Sequence, residues 1–205
     1  MKSKKLKNAI LIAVLSVLAL VCVGYAAFSV SLSINGVATV DKSSWSIKFK
    51  SACTNSNDCF VASNTQNGVE PKTKIVTYPN LTDTTISDWV VSFSTPGDSI
   101  SYTFNVVNDG TFNAKISTFE LPTPVCTGFG TNADVDAKNV CDNTEYTLKD
   151  SNGNDIEVGR TLSAGQSDKM ILSLTYKASI KSADLPENDV KISNLGFPII
   201  YTQIN

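Results

Sequence analysis

Five cysteines and no histidine define the chemistry this chain can offer. Cys53 and Cys59 stand six residues apart, Cys126 and Cys141 fifteen, and Cys22 lies well upstream of all four. A thiol nucleophile needs a neighbouring base, and without histidine the usual base is missing. Zinc ribbons are built from paired Cys-x-x-Cys units, a spacing absent here. Four cysteines in an exported chain read instead as two disulfides, with three possible connectivities. Local pairing is the expectation, Cys53 with Cys59 and Cys126 with Cys141. The first pair would close the polar loop Thr54-Asn55-Ser56-Asn57-Asp58.

The acidic residues are the next place to look. Asp150-Ser151-Asn152-Gly153-Asn154-Asp155-Ile156-Glu157 superficially resembles a calcium loop. An EF-hand, however, needs flanking helices and a bidentate Glu at its twelfth position. Tyr146 and Leu148 before this segment, and Ile156 and Val158 after it, alternate as strands do, so a hairpin turn is expected. Asp134, Asp136 and Asp142 form a second acidic cluster and read as a solvated loop. The chain has no G-x-S-x-G elbow, no H-E-x-x-H and no histidine for a triad. Gly128-Phe129-Gly130 is too short for a phosphate loop, and no strand–helix context is expected around it. Lys42, Lys48 and Lys50 fall on the polar side of a strand, where solvent contact is expected. No residue stands out as catalytic, as a metal ligand or as a cofactor ligand. The expectation is a protein without enzymatic activity, cofactor or metal.

These residues sit in a chain of 205, of which 42% are hydrophobic and 18% charged. That suffices for one substantial domain and is too apolar for a disordered chain. The net charge is −2 and the pI about 5.1, which argues against nucleic acid as a partner. The charge is unevenly spread. Lys2, Lys4, Lys5 and Lys7 open the chain; without them 13 of the 17 basic residues face 19 acidic ones, a net of −6.

Residues 9–27, from Ala9 to Ala27, carry no charge. A basic start, an apolar stretch and small residues at its end are the design of a secretory signal. The stretch is also about long enough to span a bilayer. Cleavage after Gly24 or Ala26 would release an extracellular chain that carries the domain of residues 28–205. Retention would hold that domain at the membrane through residues 9–27. The expected location is therefore extracellular or at the cell surface, anchored if the segment is kept, with signal peptidase as a partner.

Beyond residue 27 the hydrophobic period is two, the period of strands. Phe28, Val30, Leu32 and Ile34 alternate with serines. Trp45, Ile47 and Phe49 follow, then Trp89, Val91 and Phe93, and Ile100, Tyr102, Phe104 and Val106. Ile171, Leu172 and Leu174, then Phe197, Ile199 and Tyr201, complete the set. Asn35-Gly36, Asn67-Gly68, Pro96-Gly97-Asp98, Asn108-Asp109-Gly110 and Asn152-Gly153 punctuate them as turns. No twelve-residue helical stripe is visible; Lys181–Asp189 offers at most a short helical turn. The pattern predicts an all-β domain, a β-sandwich or barrel, with a single β-sandwich of eight to ten strands the economical reading, preceded by an N-terminal export or anchor helix.

The strand Phe28–Ile34 begins directly after the export segment. Its four large apolar residues fill one face and Ser29, Ser31 and Ser33 the other. Freed by cleavage, such a strand is suited to pair with an open sheet edge of another subunit. A head-to-tail contact of that kind repeats without closing and builds a filament. Phe28, Val30, Leu32 and Ile34 are therefore the candidate assembly residues.

Two segments together resemble a known family. The lysine-rich start, the apolar stretch and Gly24-Tyr25-Ala26-Ala27-Phe28-Ser29 look like the N-terminus of the TasA/camelysin family of exported Gram-positive surface and biofilm-matrix proteins. The run from Pro96-Gly97-Asp98 through Phe104 to Asn108-Asp109-Gly110 and Ala114 is similar to a second family pattern. The resemblance implies a jelly-roll-like sandwich, export by a signal peptidase and assembly into extracellular fibres. Camelysin-type members have been described as proteases, and a chain without histidine does not fit a zinc-dependent form of that activity. The combined reading is a non-enzymatic surface or matrix protein, self-associating or bound to other surface proteins. The alternative is a membrane-tethered, adhesin-like binding module.

Overall fold

The computed structural model describes residues 43–204. The candidate assembly residues Phe28, Val30, Leu32 and Ile34, and the expected N-terminal helix, lie outside the described residues. Within them the chain forms, in order, β1 (Ile47–Ser51), β2 (Phe60–Asn64), β3 (Lys74–Thr77), β4 (Asn80–Leu81), β5 (Ile86–Ser87), β6 (Val90–Ser92), β7 (Asp98–Asn108), β8 (Asn113–Phe119), β9 (Val125–Gly128), the helix α1 (Ala133–Asp142), β10 (Thr144–Asp150), β11 (Thr161–Leu162), β12 (Ser167–Tyr176), β13 (Val190–Ser193) and β14 (Ile199–Ile204). The all-β class read from the period of two holds.

The organising element is β7. Its alternation is strict: Ile100, Tyr102, Phe104 and Val106 are buried, while Ser101, Thr103, Asn105 and Val107 face the other way. One edge of β7 pairs with β12, from Ser99 opposite Thr175 to Val107 opposite Ser167, and β12 in turn pairs with β10. The other edge is shared. β1 covers its C-terminal half, with Ser51 opposite Phe104, and β2 its N-terminal half, with Phe60 opposite Tyr102. β1 and β2 run in the same direction, so they are one strand interrupted by residues 52–59. That excursion holds a 3-10 turn at Ser56–Cys59 and is closed by the disulfide Cys53–Cys59, with Cα atoms 5.7 Å apart.

A second sheet has the order β11-β8-β14. Ala114 and Ile116 of β8 and Leu162 of β11 join the buried residues of β7, β10 and β12 in one apolar core, with Ile199 and Tyr201 of β14 packed against it. Three ribbons, β3/β6, β4/β5 and β9/β13, complete the strands.

The two ends of β7 show why the chain carries Pro-Gly-Asp and Asn-Asp-Gly there. Asp98 is fully buried. One carboxylate oxygen accepts from the Asn64 side chain (2.9 Å) and Lys72 N–H (3.1 Å), the other from Ser94 N–H (3.1 Å) and Thr95 N–H (3.0 Å). Burial pushes its carboxyl up, but these four donors together outweigh it and the net shift is downward. Gly97 has φ +93°, and a Cβ there would come within 2.6 Å of Asn64 Oδ1. At the other end buried Asn108 donates to Phe112 O and Leu162 O and accepts from Gly110 N–H. The motif is thus a pair of polar plugs that satisfy the loop amides where β7 enters and leaves the core.

The helix α1 was not expected, and its residues read as a solvated acidic loop. Only Asp136 and Val140 are buried on it, too short a stripe to register as a helical period. Asp134 and Asp136 lie in its first turn, where the helix dipole favours negative charge. Lys138 pairs with Asp142 one turn on, and the disulfide Cys126–Cys141 bolts the helix to β9. Gly128-Phe129-Gly130 therefore does sit between a strand and a helix, contrary to expectation. A Cβ on Gly128 would come within 2.0 Å of Ala133 O, so close packing of helix on strand accounts for that glycine. Within Lys181–Asp189 the expected helical turn is a 3-10 turn at Ser182–Asp184.

Candidate functional site

Among the described residues β1 and β14 each end their sheets. An apolar cleft opens there. Its floor is the core face of the large sheet: Phe104 and Val106 of β7, Leu172 of β12 and Tyr146 of β10. One wall is Trp45, Ile47 and Phe49 with Thr84–Ile86 and Trp89; the other is Leu195–Pro198 with Ile199–Tyr201. Two adjoining hollows of about 270 and 320 Å³ share Phe49, Thr84 and Ile199. A larger one of about 800 Å³ continues past Trp89 and Leu195 towards Val140 of α1.

The walls are held by rings packed edge to face. Phe49 meets Phe104 with centroids 5.5 Å apart, and Phe197 meets Phe119 at 5.7 Å and Tyr146 at 6.1 Å. The Tyr146 hydroxyl donates to Leu195 O at 2.5 Å, and burial pushes its phenol well above the ordinary value. Trp45 and Ile200 at the mouth remain 45% and 47% exposed. β1 keeps one backbone tie on this side, Phe49 N–H to Asp83 O. The cleft can bury alternate side chains of an added extended segment, spaced about 6.6–6.8 Å apart along a strand. Its ionisable lining includes Asp83 beside Phe49, and Glu187, Asp189 and Lys191 in the larger hollow.

Of the other residues singled out in the sequence, Lys48 borders the first hollow, Lys42 lies outside the described residues, and the rest fall outside the cleft. The Asp150 segment is a tight turn closed by a bridge between Lys149 and Asp155, with Gly153 at φ +83°. Asp150 is buried and accepts from Asn152 N–H, Asn154 N–H, the Asn154 side chain and Arg160. Its oxygens serve the turn, and the Asn154 amide leads the interactions that hold its carboxyl below the ordinary range. The alternation expected beyond the turn stops early: Ile156 is buried but Val158 is exposed.

Arg160, the single arginine of the chain, was not singled out in the sequence. It forms a two-pronged pair with Asp168 (2.5 and 2.8 Å) and reaches Asp150 at 3.3 Å, clamping the β10–β11 connection to β12. Its uniqueness was the one available signal. Lys48 and Lys50, expected to face solvent, share Asp109 at 3.2 and 3.1 Å. Lys50, then Lys48, hold the Asp109 carboxyl below its ordinary value. The disulfides Cys53–Cys59 and Cys126–Cys141 form as expected.

Compared with known proteins, the chain has no significant match to a family model, a curated protein or a solved structure.

Proposed function

We propose that this chain is an exported, non-enzymatic structural protein of the cell surface or extracellular matrix. In this reading its domain is a jelly-roll-like β-sandwich of the TasA/camelysin kind that lacks one strand between β1 and β14. Subunits join when the segment Phe28–Ile34 of one copy lies in the cleft of the next. The cleft is the observation that carries the proposal: it is apolar, floored by the core and bounded by two strands that end their sheets. Phe28, Val30, Leu32 and Ile34 have the alternation that such a cleft accepts. Two disulfides among the described residues support an oxidising, extracellular location.

Two experiments test it. Intact mass and N-terminal sequencing of protein from its own cells should give a start near Ala27 or Phe28; a start at Met1 would favour the membrane-tethered binding module. Deletion of residues 28–34 should abolish fibres seen by electron microscopy. Ile199→Asp, in the cleft wall, should do the same in a chain that keeps the strand. Normal fibres from either variant would end the strand-exchange reading.

A further inference from the structure

The face of the large sheet turned away from the core carries the alternate residue set. On β7 these are Ser101, Thr103, Asn105 and Val107, and on β12 Lys169, Ile171, Ser173 and Thr175. The pairing register gathers four lysines on this face. Lys50 is opposite Asn105, which is opposite Lys169. Lys48 is two residues from Lys50, and Lys149 is opposite Ile171, one diagonal step from Lys169. With strands about 4.8 Å apart, the four span a band about 14 Å wide. Asp109 serves both Lys48 and Lys50, and Asp155 stands 3.5 Å from Lys149. Lys169 is exposed and has no ion-pair partner among the described residues. Glu145, exposed and opposite Thr175 on the same face, brings the carboxylates to three, so four ammonium groups leave an excess of one positive charge on one face of an otherwise acidic domain.

The chemistry of the band narrows the ligand. Lysine is a compact point charge that suits phosphate, whereas planar carboxylates are best held by the fork of arginine. The sole arginine is already committed to Asp168 and Asp150. No aromatic side chain stands on this face, so bases and sugar rings have nothing to stack on. Between the lysines lie small hydrogen-bonding groups, Thr103 and Asn105. We propose that this outward sheet face binds a linear polyol-phosphate polymer, with Lys48, Lys50, Lys149 and Lys169 neutralising successive phosphodiesters and Thr103 and Asn105 exchanging hydrogen bonds with its hydroxyls. The site lies on the opposite side of the sheet from the cleft and does not depend on strand exchange.

The test is titration of the protein with poly(glycerol phosphate) at low salt. Taking about 0.7 released counterions per contact as for a flexible strand, two to four contacts predict a weakening of about 7- to 50-fold between about 50 and 200 mM salt. Replacing Lys50, Lys149 and Lys169 together by Gln should weaken binding at least about tenfold by the same relation. Replacing Lys74, Lys115 and Lys191 by Gln changes net charge equally but lies off this face, and should leave binding within about twofold. Asp109→Asn releases Lys48 and Lys50 and should tighten binding, a gain that misfolding does not mimic. The proposal is overturned if the wild type does not bind, if both triple variants lose equally, or if Asp109→Asn brings no gain. It is equally overturned if duplex DNA or polyglutamate of matched charge binds as well as the polyol phosphate.

Discussion

Asp98 is the residue whose replacement should tell most about how the domain is held together. Its two oxygens receive four N–H donors at 2.9–3.1 Å, three of them backbone amides from two loops, Lys72 from the one before β3 and Ser94 and Thr95 from the one before β7. In Asp98→Asn one oxygen still accepts, but the new NH2 group points its hydrogens at two donors. Each buried donor left without an acceptor costs about 1–3 kcal/mol, so the variant should lose about 2–6 kcal/mol. Domains have only about 5–15 kcal/mol in total, and at this size each kcal/mol moves Tm by about 2–4 °C. The expected drop is therefore about 4–24 °C, read by Trp45 and Trp89 fluorescence during heating or urea unfolding. The pH dependence adds a second signature. The folded carboxyl titrates below the ordinary value of 3.8, so its stabilisation is complete above that value. It is lost as pH falls through the lowered folded value. Asp98→Asn should lack that acid-limb loss while being less stable at neutral pH. A variant within about 1 kcal/mol of the wild type at pH 7 would refute the account of this carboxylate as the acceptor for the two loops.

Three further outcomes follow from the same structure. Replacing Cys53 and Cys59 by Ser should cost about 2 kcal/mol in urea unfolding, and the longer Cys126–Cys141 loop about 3 kcal/mol, by the entropy of loop closure; equal melting of all three proteins would contradict this. Gly128→Ala drives a Cβ to within 2.0 Å of Ala133 O, so α1 must shift away from β9. That strain should cost about 1–3 kcal/mol or more and is visible as reduced calorimetric Tm. Arg160→Met removes the two-pronged partner of Asp168. It should destabilise by about 1–3 kcal/mol once solvent screening of the partly exposed guanidinium is allowed for, and an unchanged unfolding midpoint would discount the clamp.

The strands were legible because burial on one face imposes a period of two, and β7 and β12 are long enough to show it. The same residues that broke the pattern, Pro96-Gly97-Asp98 and Asn108-Asp109-Gly110, proved to be the polar plugs of β7. The helix α1 was not legible because its position is fixed by a disulfide and by Asp136 accepting from Asn188 N–H, rather than by a broad apolar stripe. The cleft was beyond reach for another reason. Its walls come from residues 45–49, 84–89 and 195–201, and only the pairing of β7 with β1 and of β8 with β14 brings these together. Trp45, Phe49 and Phe197 were readable as inward-facing, but not as facing one another across a gap.

The interruption between β1 and β2 bears on how such a cleft can exist in a stable protein. A long, flat edge strand invites indiscriminate pairing, and natural sheets blunt theirs with bulges or short strands. Here residues 52–59 divide the edge beside β7 into two five-residue pieces, and the Cys53–Cys59 disulfide keeps the excursion from straightening into the ladder. Only β1, the piece beside the cleft, has β14 across from it. The outer piece, β2, leads from the excursion to the Asn64 side chain that donates to Asp98. An added strand would thus meet a short template and a sequence of hollows, and must supply apolar side chains at alternate positions to be held. Backbone pairing over five residues gives little selectivity, so the hollows between Trp45 and Leu195 must decide which segment is accepted.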